Sequence, residues 1–425
     1  MKYEDFIASK AKFMRKQGFQ PSRMNSRMRA DQKLVTRTAL EHGRYAIFAD
    51  CGLGKTIDEL EWSKQVAKRG PVLIVAPLCV SVQTIAMGKE FGYDVNLCKH
   101  PQDVKDGMNI VNIDRLQNFE GIIDKLTGIC IDESSILKSV DGKMRTFILS
   151  AFRRTPFRLA CTATAAPNDH MEFGNHAEFL GVCTREEMLA EYFTHDGGET
   201  SKWRIKGHAQ EAFWRWVNSW SVTYRKPSDL DPKFSDEGFV LPKLEIHQHL
   251  LNDKRVVSGI LFDTGGIDLS AHRDIRKNSI TQRVDKVAAL VDAEPGVWVH
   301  WCELNSEGDA LIDALDGAQQ LKGSDDIDKK EEILTAFIKK QCKQLVTKYR
   351  ITGFGLNFQH CHNTSLGATH SFEQVYQAIK RFHRFGQKKR VNAHFVMMDS
   401  EFTVFQNLQR KFDANEIQHA ALSAD

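Results

Sequence analysis

A chain of 425 residues is longer than one ordinary hydrophobic core organises, so two or three domains are expected. Its 42% hydrophobic content excludes a disordered composition, and a net charge of only +3 excludes nucleic-acid binding by bulk charge alone. The start, Met1-Lys2-Tyr3-Glu4-Asp5, has no apolar signal region, and no apolar run approaches membrane-spanning length; no membrane role is expected, and a soluble, intracellular protein is. Charge is uneven along the chain. Residues 1–44 carry eleven Lys/Arg against four Asp/Glu, and residues 380–390 carry six with no acid, which fits either phosphate contacts or solvated helix faces. The nine cysteines are an odd number with no Cys-x-x-Cys pair, and several sit in apolar runs, the usage of a reducing compartment. His360-Cys361-His362 lacks a second ligand pair and does not read as a metal site.

In chain order, residues 1–27 read as a basic extension, and a helix is expected from Asp31 to His42, closed by Gly43. Tyr45 to Ala49 is a short apolar strand, and a helix runs from Lys55 to about Lys68. Val72 to Ala76, Asn109 to Ile113, Gly128 to Ile131 and Leu159 to Cys161 are continuous apolar runs, as expected of strands covered on both faces. Strands alternating with helical patterns imply a parallel sheet built by right-handed crossovers. Between about 168 and 225 the pattern becomes helical and aromatic-rich, and the stripe Phe213 to Trp220 reads as core rather than as a base-stacking platform. Lys226 to Gly238 looks like a connector. Strand–helix alternation then resumes, with strands at Leu244 to Leu250, Val297 to Trp301, Gln344 to Thr347 and Val391 to Met397. Helices are expected at 280–293, 327–340 and 372–384, with a last one ending near 420. The fold expected is α/β, with one lobe over 28–240, including the helical insertion, and a second over 241–425.

Three constellations carry chemistry. The first is Ala49-Asp50-Cys51-Gly52-Leu53-Gly54-Lys55-Thr56, between a strand and a helix. Gly52 and Gly54 let the backbone curl around phosphate oxygens, the helix N-terminus adds partial positive charge, Lys55 reaches the terminal phosphates, and the Thr56 hydroxyl suits Mg²⁺. Ala49 stands where the usual pattern has its first glycine, and a plain glycine-rich turn is the competing reading. The second is Asp132-Glu133, at the end of an apolar strand, where Asp132 would hold Mg²⁺ and Glu133 would orient and deprotonate the attacking water. The third is Gln377 to Gln387. Arg381 and Arg384 are three apart, so they share one helix face, and a second lobe could bring both to a γ-phosphate. A basic surface helix is the alternative.

In this order and spacing the constellations resemble superfamily 2 helicases, and within them the SWI/SNF-like branch. Asp50 to Thr56 looks like motif I, Ala76-Pro77-Leu78 with Val80 and Ser81 like motif Ia, and Asp132 to Lys138 like motif II. Thr162 to Asn168 resembles motif III, Thr352 to Asn357 motif V and Gln377 to Gln387 motif VI, while Tyr224-Arg225-Lys226 and Leu241-Pro242-Lys243 resemble the passage between lobes. The run Phe354 to Gln359 is similar to phage and prophage members. The resemblance implies two RecA-like lobes, ATP with Mg²⁺ in the cleft between them and nucleic acid across their top. It also implies Gln32 as an adenine reader, Gly355 as a nucleotide contact, and Ser135, Thr162, Thr164 and Gln377 as coupling residues. Ser135 replaces the motif II histidine, Ala165 replaces a common proline, and Met28 to Gln32 lacks the usual Pro and Tyr.

The function expected is an ATP-dependent motor tracking on DNA, double-stranded by the resemblance, in the cytoplasm of a prokaryote or phage-infected cell. A partner protein would supply targeting. The alternatives are a strand-separating DNA or RNA helicase, and a nucleotide-gated DNA-binding module with little turnover.

Overall fold

The computed structural model describes residues 16–138, 142–166, 169–196, 199–252, 269–349, 351 and 358–423. The chain divides into two compact units, one running to Asp236 and including Glu416–Asp425, the other Glu237–Asn415.

In the first unit the strands are β1 (Arg44–Ala49), β2 (Val72–Ala76), β3 (Val95–Cys98), β4 (Met108–Asn112), β5 (Gly128–Asp132), β6 (Phe157–Cys161), the hairpin β7 (Phe193–Asp196) and β8 (Glu199–Ile205), and β9 (Ser221–Tyr224). Apart from the hairpin they form one parallel sheet of seven strands in the order β3-β4-β2-β5-β6-β1-β9. The run Val-Leu-Ile-Val-Ala of β2 is buried at every position, because helices cover both faces. The extended stretch after residue 16 closes the helix Ala30–His42: the amides of Gln17, Gly18 and Phe19 donate to the carbonyls of His42, Glu41 and Leu40. A Cβ on Gly18 would meet the Leu40 carbonyl oxygen at 1.8 Å, so only glycine lets this strap approach.

The stretch expected to be a helical insertion is mixed. It holds the helices Phe173–Leu180, Arg185–Tyr192 and Gln210–Asn218, but also the hairpin, and it ends in β9, which pairs with β1 as a member of the main sheet. The aromatic stripe is core: Phe213, Trp216 and Trp220 are buried, and Trp220 meets Phe48 of β1 edge-on at 6.0 Å. Such aromatic contacts contribute about 0.5–1.5 kcal/mol each beyond the area they bury.

The second unit is a parallel sheet of six strands in the order β10-β15-β14-β11-β13-β12. These are β10 (Leu244–Leu251), β11 (Trp298–Cys302), β12 (Gln319–Gln320), β13 (Gln344–Lys348), β14 (Asn363–Leu366) and β15 (Val391–Met398). β14 is buried throughout despite its sequence Asn-Thr-Ser-Leu. Its polar groups find partners inside: Thr364 donates to the Val299 carbonyl at 2.8 Å, Ser365 bonds His300 at 2.7 Å, and Asn392 donates to Asn363 at 3.0 Å. The helices Ile280–Ala293 and Ile327–Ile338 lie where expected, whereas the expected helix over 372–384 ends at Ile379. Among the described residues no helix is long and apolar enough to cross a membrane.

A buried ion cluster ties this unit together. Glu401 follows β15 and accepts from Arg283 and, at 2.9 Å, from the Met398 amide; His272 lies 2.9 Å and Arg276 3.7 Å from its other oxygen. Burial alone would raise the Glu401 carboxyl, but the His272 bond, the two guanidiniums and the Met398 amide overcome it and hold the pKa at about 2. A carboxyl depressed in the folded state contributes stability that is present above its unfolded pKa and lost as pH falls toward the folded one. Unfolding followed from pH 6 to pH 2 should therefore show a loss of roughly 3 kcal/mol in the second unit below about pH 4.5. Glu401→Gln should be less stable at pH 6 and should flatten that acid slope.

Candidate functional site

β5, β6 and β1 are adjacent in the first sheet, so their C-terminal ends lie side by side. Ligands of parallel α/β sheets bind at that edge. β1 delivers the loop Asp50–Gly54, β5 delivers Asp132 and Glu133, and β6 delivers Thr162. The amide of Thr162 donates to the Ile47 carbonyl at 3.2 Å, which locks the end of β6 to β1.

The loop turns on two left-handed glycines, Gly52 at φ 93° and Gly54 at φ 84°. The Cys51 amide folds onto the Asp50 carboxylate at 2.6 Å, and the Asp50 amide donates to Tyr224 of β9 at 3.1 Å. Lys55 opens the next helix, and its ammonium donates to the carbonyls of Ala49 at 2.7 Å and Asp50 at 3.3 Å. Burial works against that charge, but Cys51, Glu133, Asp132 and Asp50 outweigh it and raise the lysine above its ordinary value. The strand ends thus gather one ammonium and three carboxylates. Thr56 lies in the first turn of the same helix.

Gln32 braces the loop. Its amide nitrogen faces the carbonyls of Gly54 at 3.2 Å and Leu53 at 3.5 Å, while its oxygen accepts from the Arg29 amide at 3.1 Å. Arg29 is held bidentately by Asp31 and also donates to Leu53 at 2.7 Å. A Cβ on Gly54 would stand 2.6 Å from the Gln32 nitrogen, in a backbone region that side chains other than glycine adopt at a cost of about 1–2 kcal/mol. Gly54→Ala should therefore weaken binding of a fluorescent ATP analogue about tenfold and lower the melting temperature by about 2–4 °C for each kcal/mol of strain.

Asp132 is buried at the end of β5, and Glu133 has φ 57°. A left-handed non-glycine costs about 1–3 kcal/mol and survives only where its surroundings hold it, a pattern that clusters at functional sites. Here Thr162 Oγ1 lies 3.4 Å from the Glu133 carboxylate and itself accepts from the Thr164 amide at 3.1 Å, while the Ile136 amide bonds the Glu133 carbonyl. Thr164 and Ser135 are buried beside this turn. Behind the site, Asp58 and Glu59 are fully buried on the lysine's own helix. Burial raises both carboxyls well above their usual range, and the charge of Asp132 adds to the effect on Glu59. Hard oxygen donors from Asp132 and Thr56 fit Mg²⁺, which prefers carboxylate, hydroxyl and water oxygens.

The second unit carries the arginines, on a segment that corrects the sequence reading. Past Ile379 the chain leaves the helix and tightens into three-residue turns: Arg381 N bonds Ala378 O, and Phe382 N bonds Ile379 O. Arg381 and Arg384 therefore lie on turns rather than on one face of a helix. Gln387 braces the end of this segment. Its buried amide donates to the carbonyls of Phe382 at 3.2 Å, Gln359 at 3.1 Å and Cys361 at 3.0 Å, and its oxygen accepts from the amides of Lys388 and Lys389. The Arg381 carbonyl accepts from the Phe358 amide at 3.0 Å instead of continuing a helix. Gln377 remains on the helix Phe372–Ile379, 3.5 Å from Glu373.

The first unit thus brings together Lys55, Thr56, Asp132, Glu133, Thr162, Thr164, Gly52, Gly54 and Gln32, whereas Gln377, Arg381 and Arg384 belong to the second. Gly355 and the rest of Thr352 to Asn357 lie outside the described residues, as do Pro167 and Asn168. Two groups escaped the sequence reading: Arg29 as a brace of the loop, and His176, whose ring nitrogen lies 3.1 Å from the Ser134 hydroxyl. Only the proximity of Arg29 to Gln32 hinted at the first. No local signal marks the second.

No protein-family model matches the sequence, and no curated protein matches it significantly. Among solved structures the chain is similar to S. cerevisiae Dbp5 bound to RNA and ADP BeF3, with a TM-score of 0.52 and 12% identity over 91% of this chain and 93% of that one. At that identity the likeness speaks for the fold alone: two RecA-like units, each a parallel sheet flanked by helices.

Proposed function

We propose that the protein is an ATP-driven motor on nucleic acid, with duplex DNA as its track. The observation that carries this is the meeting of Lys55, Asp132 and Glu133 beside a glycine loop at one sheet edge, close enough for both carboxylates to raise the lysine. In this reading the amides around Gly52 and Gly54 and the Lys55 ammonium take the phosphates. Thr56 and Asp132 hold Mg²⁺, which would neutralise charge developing on the γ-phosphate. Glu133 orients and deprotonates the attacking water. Gln32 and Gly355 contribute to holding the nucleotide, and Ser135, Thr162, Thr164 and Gln377 couple its state to the track. Arg381 and Arg384 reach the γ-phosphate when the second lobe closes, so hydrolysis waits on closure. Alternating grip on the backbone in the two states then moves the chain along. Phosphate contacts make that grip sequence-independent and salt-sensitive.

The order of motifs supports the SWI/SNF-like branch, with phage-type wording, and that branch favours translocation on duplex over strand separation. A partner protein would direct such a motor to its target. Strand separation on RNA is the second reading, favoured by the similarity to a structure bound to RNA. ATP turnover measured with duplex DNA, single-stranded DNA and RNA at two salt concentrations separates them. The first reading expects the largest stimulation from duplex DNA, falling as salt rises. Stimulation by RNA alone would move the assignment to the second, and equal turnover with and without nucleic acid would remove the motor altogether.

A further inference from the structure

Ser134 directly follows Glu133, and its hydroxyl lies 3.1 Å from Nε2 of His176, which sits 42 positions further along the chain. His176 is fully buried on the helix Phe173–Leu180 of the aromatic insertion. Its other ring nitrogen faces the Glu172 carbonyl at 3.5 Å. The ring also bonds the Ser134 backbone, so it ties to that residue through both the hydroxyl and the main chain. Burial pushes the imidazole down to about 4, which keeps it neutral near neutral pH. The ring also meets Phe48 edge-on, with centroids 5.2 Å apart. Phe48 lies on β1, one residue before Ala49, whose carbonyl accepts from Lys55. A single imidazole therefore touches both the strand entering the phosphate loop and the turn bearing Asp132 and Glu133.

We propose that His176 is a positioning residue for Glu133, an imidazole supplied from the insertion in place of one in the motif itself, where position 135 is serine. This rests on reading Glu133 as the group that orients water. The need for such a residue is physical. Glu133 is held at φ 57°, and backbone of that kind keeps its shape only where neighbours over-determine it. Thr162 secures the carboxylate from one side, and the Ser134–His176 bond secures the chain immediately after it. Releasing that bond lets the carboxylate shift, and a displacement of about 1 Å can cost about 10²-fold in rate.

The test compares His176→Leu, which keeps bulk without a hydrogen-bonding group, with His176→Gln, whose amide returns one near Nε2, and with Ser134→Ala. ATP turnover at saturating duplex DNA and melting curves are measured for each. His176→Leu should lower kcat by about 10–10²-fold with KM for ATP within about threefold. His176→Gln should recover most of the loss, Ser134→Ala should match His176→Leu, and the double variant His176→Leu/Ser134→Ala should be no worse than either single change. Wild-type kcat in His176→Leu overturns the proposal. So does a loss that His176→Gln shares in proportion to a lowered melting temperature, which would mark a packing role. If His176→Leu does not melt cooperatively, Ser134→Ala decides alone, because it leaves the aromatic packing untouched; unchanged kcat there overturns the proposal. A wild type without turnover on duplex DNA, single-stranded DNA and RNA alike removes the ATPase reading and this inference with it, whereas an active wild type with an indifferent His176→Leu removes only this inference.

Discussion

Lys55→Ala is expected to lower ATP turnover by at least about 10³-fold and to weaken ATP binding, while Glu133→Gln is expected to lower turnover comparably with binding close to wild type. The difference follows from what each side chain faces. Lys55 is the cation among Cys51, Glu133, Asp132 and Asp50, and in the nucleotide complex its charge would meet the terminal phosphates before and during transfer. Removing it takes away ground-state and transition-state attraction together. Of the reacting groups, Glu133 would meet the attacking water. A glutamine keeps the shape, and it can still meet Thr162, which lies 3.4 Å from the carboxylate. It cannot take a proton, so the loss should appear in kcat and not in KM. Titration of a fluorescent ATP analogue alongside steady-state turnover checks both parts. Retained turnover in Glu133→Gln would move the water-orienting role to another residue.

The second large effect concerns the other unit. Arg381→Ala and Arg384→Ala are each expected to lower nucleic-acid-stimulated turnover, with the more severe of the two falling by about 10³–10⁵-fold, the range seen where an inserted arginine stabilises a transferring phosphoryl group. Binding of ATP to the first lobe should change little, because its phosphate loop, lysine and carboxylates all belong to the other unit. Lysine at either position should rescue poorly, since a point charge does not reproduce the planar fork of a guanidinium. The two arginines lie on turns and not on a regular helix, and their losses are expected to differ. Turnover and analogue binding measured on both variants check this. Wild-type turnover in both would exclude a role for either in the chemistry.

The sequence was informative where the chemistry is local. Gly52, Gly54, Lys55 and Thr56 are contiguous, and Asp132-Glu133 ends an apolar run, so one look at neighbours suggests strand, turn and role. Apolar runs such as Val72–Ala76 announced central strands for the same reason, burial on both faces. The reading failed where burial is polar or the partner is distant. β14 has one leucine in four residues and is buried only because Thr364, Ser365 and Asn363 bond neighbouring strands, which no hydrophobic pattern reveals. β9 follows directly on the tryptophan-rich helix and was absorbed into it. The helix expected to run on to Arg384 had acceptable propensity, but it stops at Ile379, and three-residue turns follow that no local pattern marks. His176 was invisible because its partner is 42 positions away.

Removal of a triplex-forming third strand from duplex DNA tests the motor most directly, because it requires movement along the duplex and not merely binding. With ATP and Mg²⁺ the wild-type protein should strip the third strand, more slowly as salt rises, while Glu133→Gln and a non-hydrolysable ATP analogue should leave it in place. A third strand left untouched by a wild type whose ATP turnover is the same with and without DNA would contradict the account.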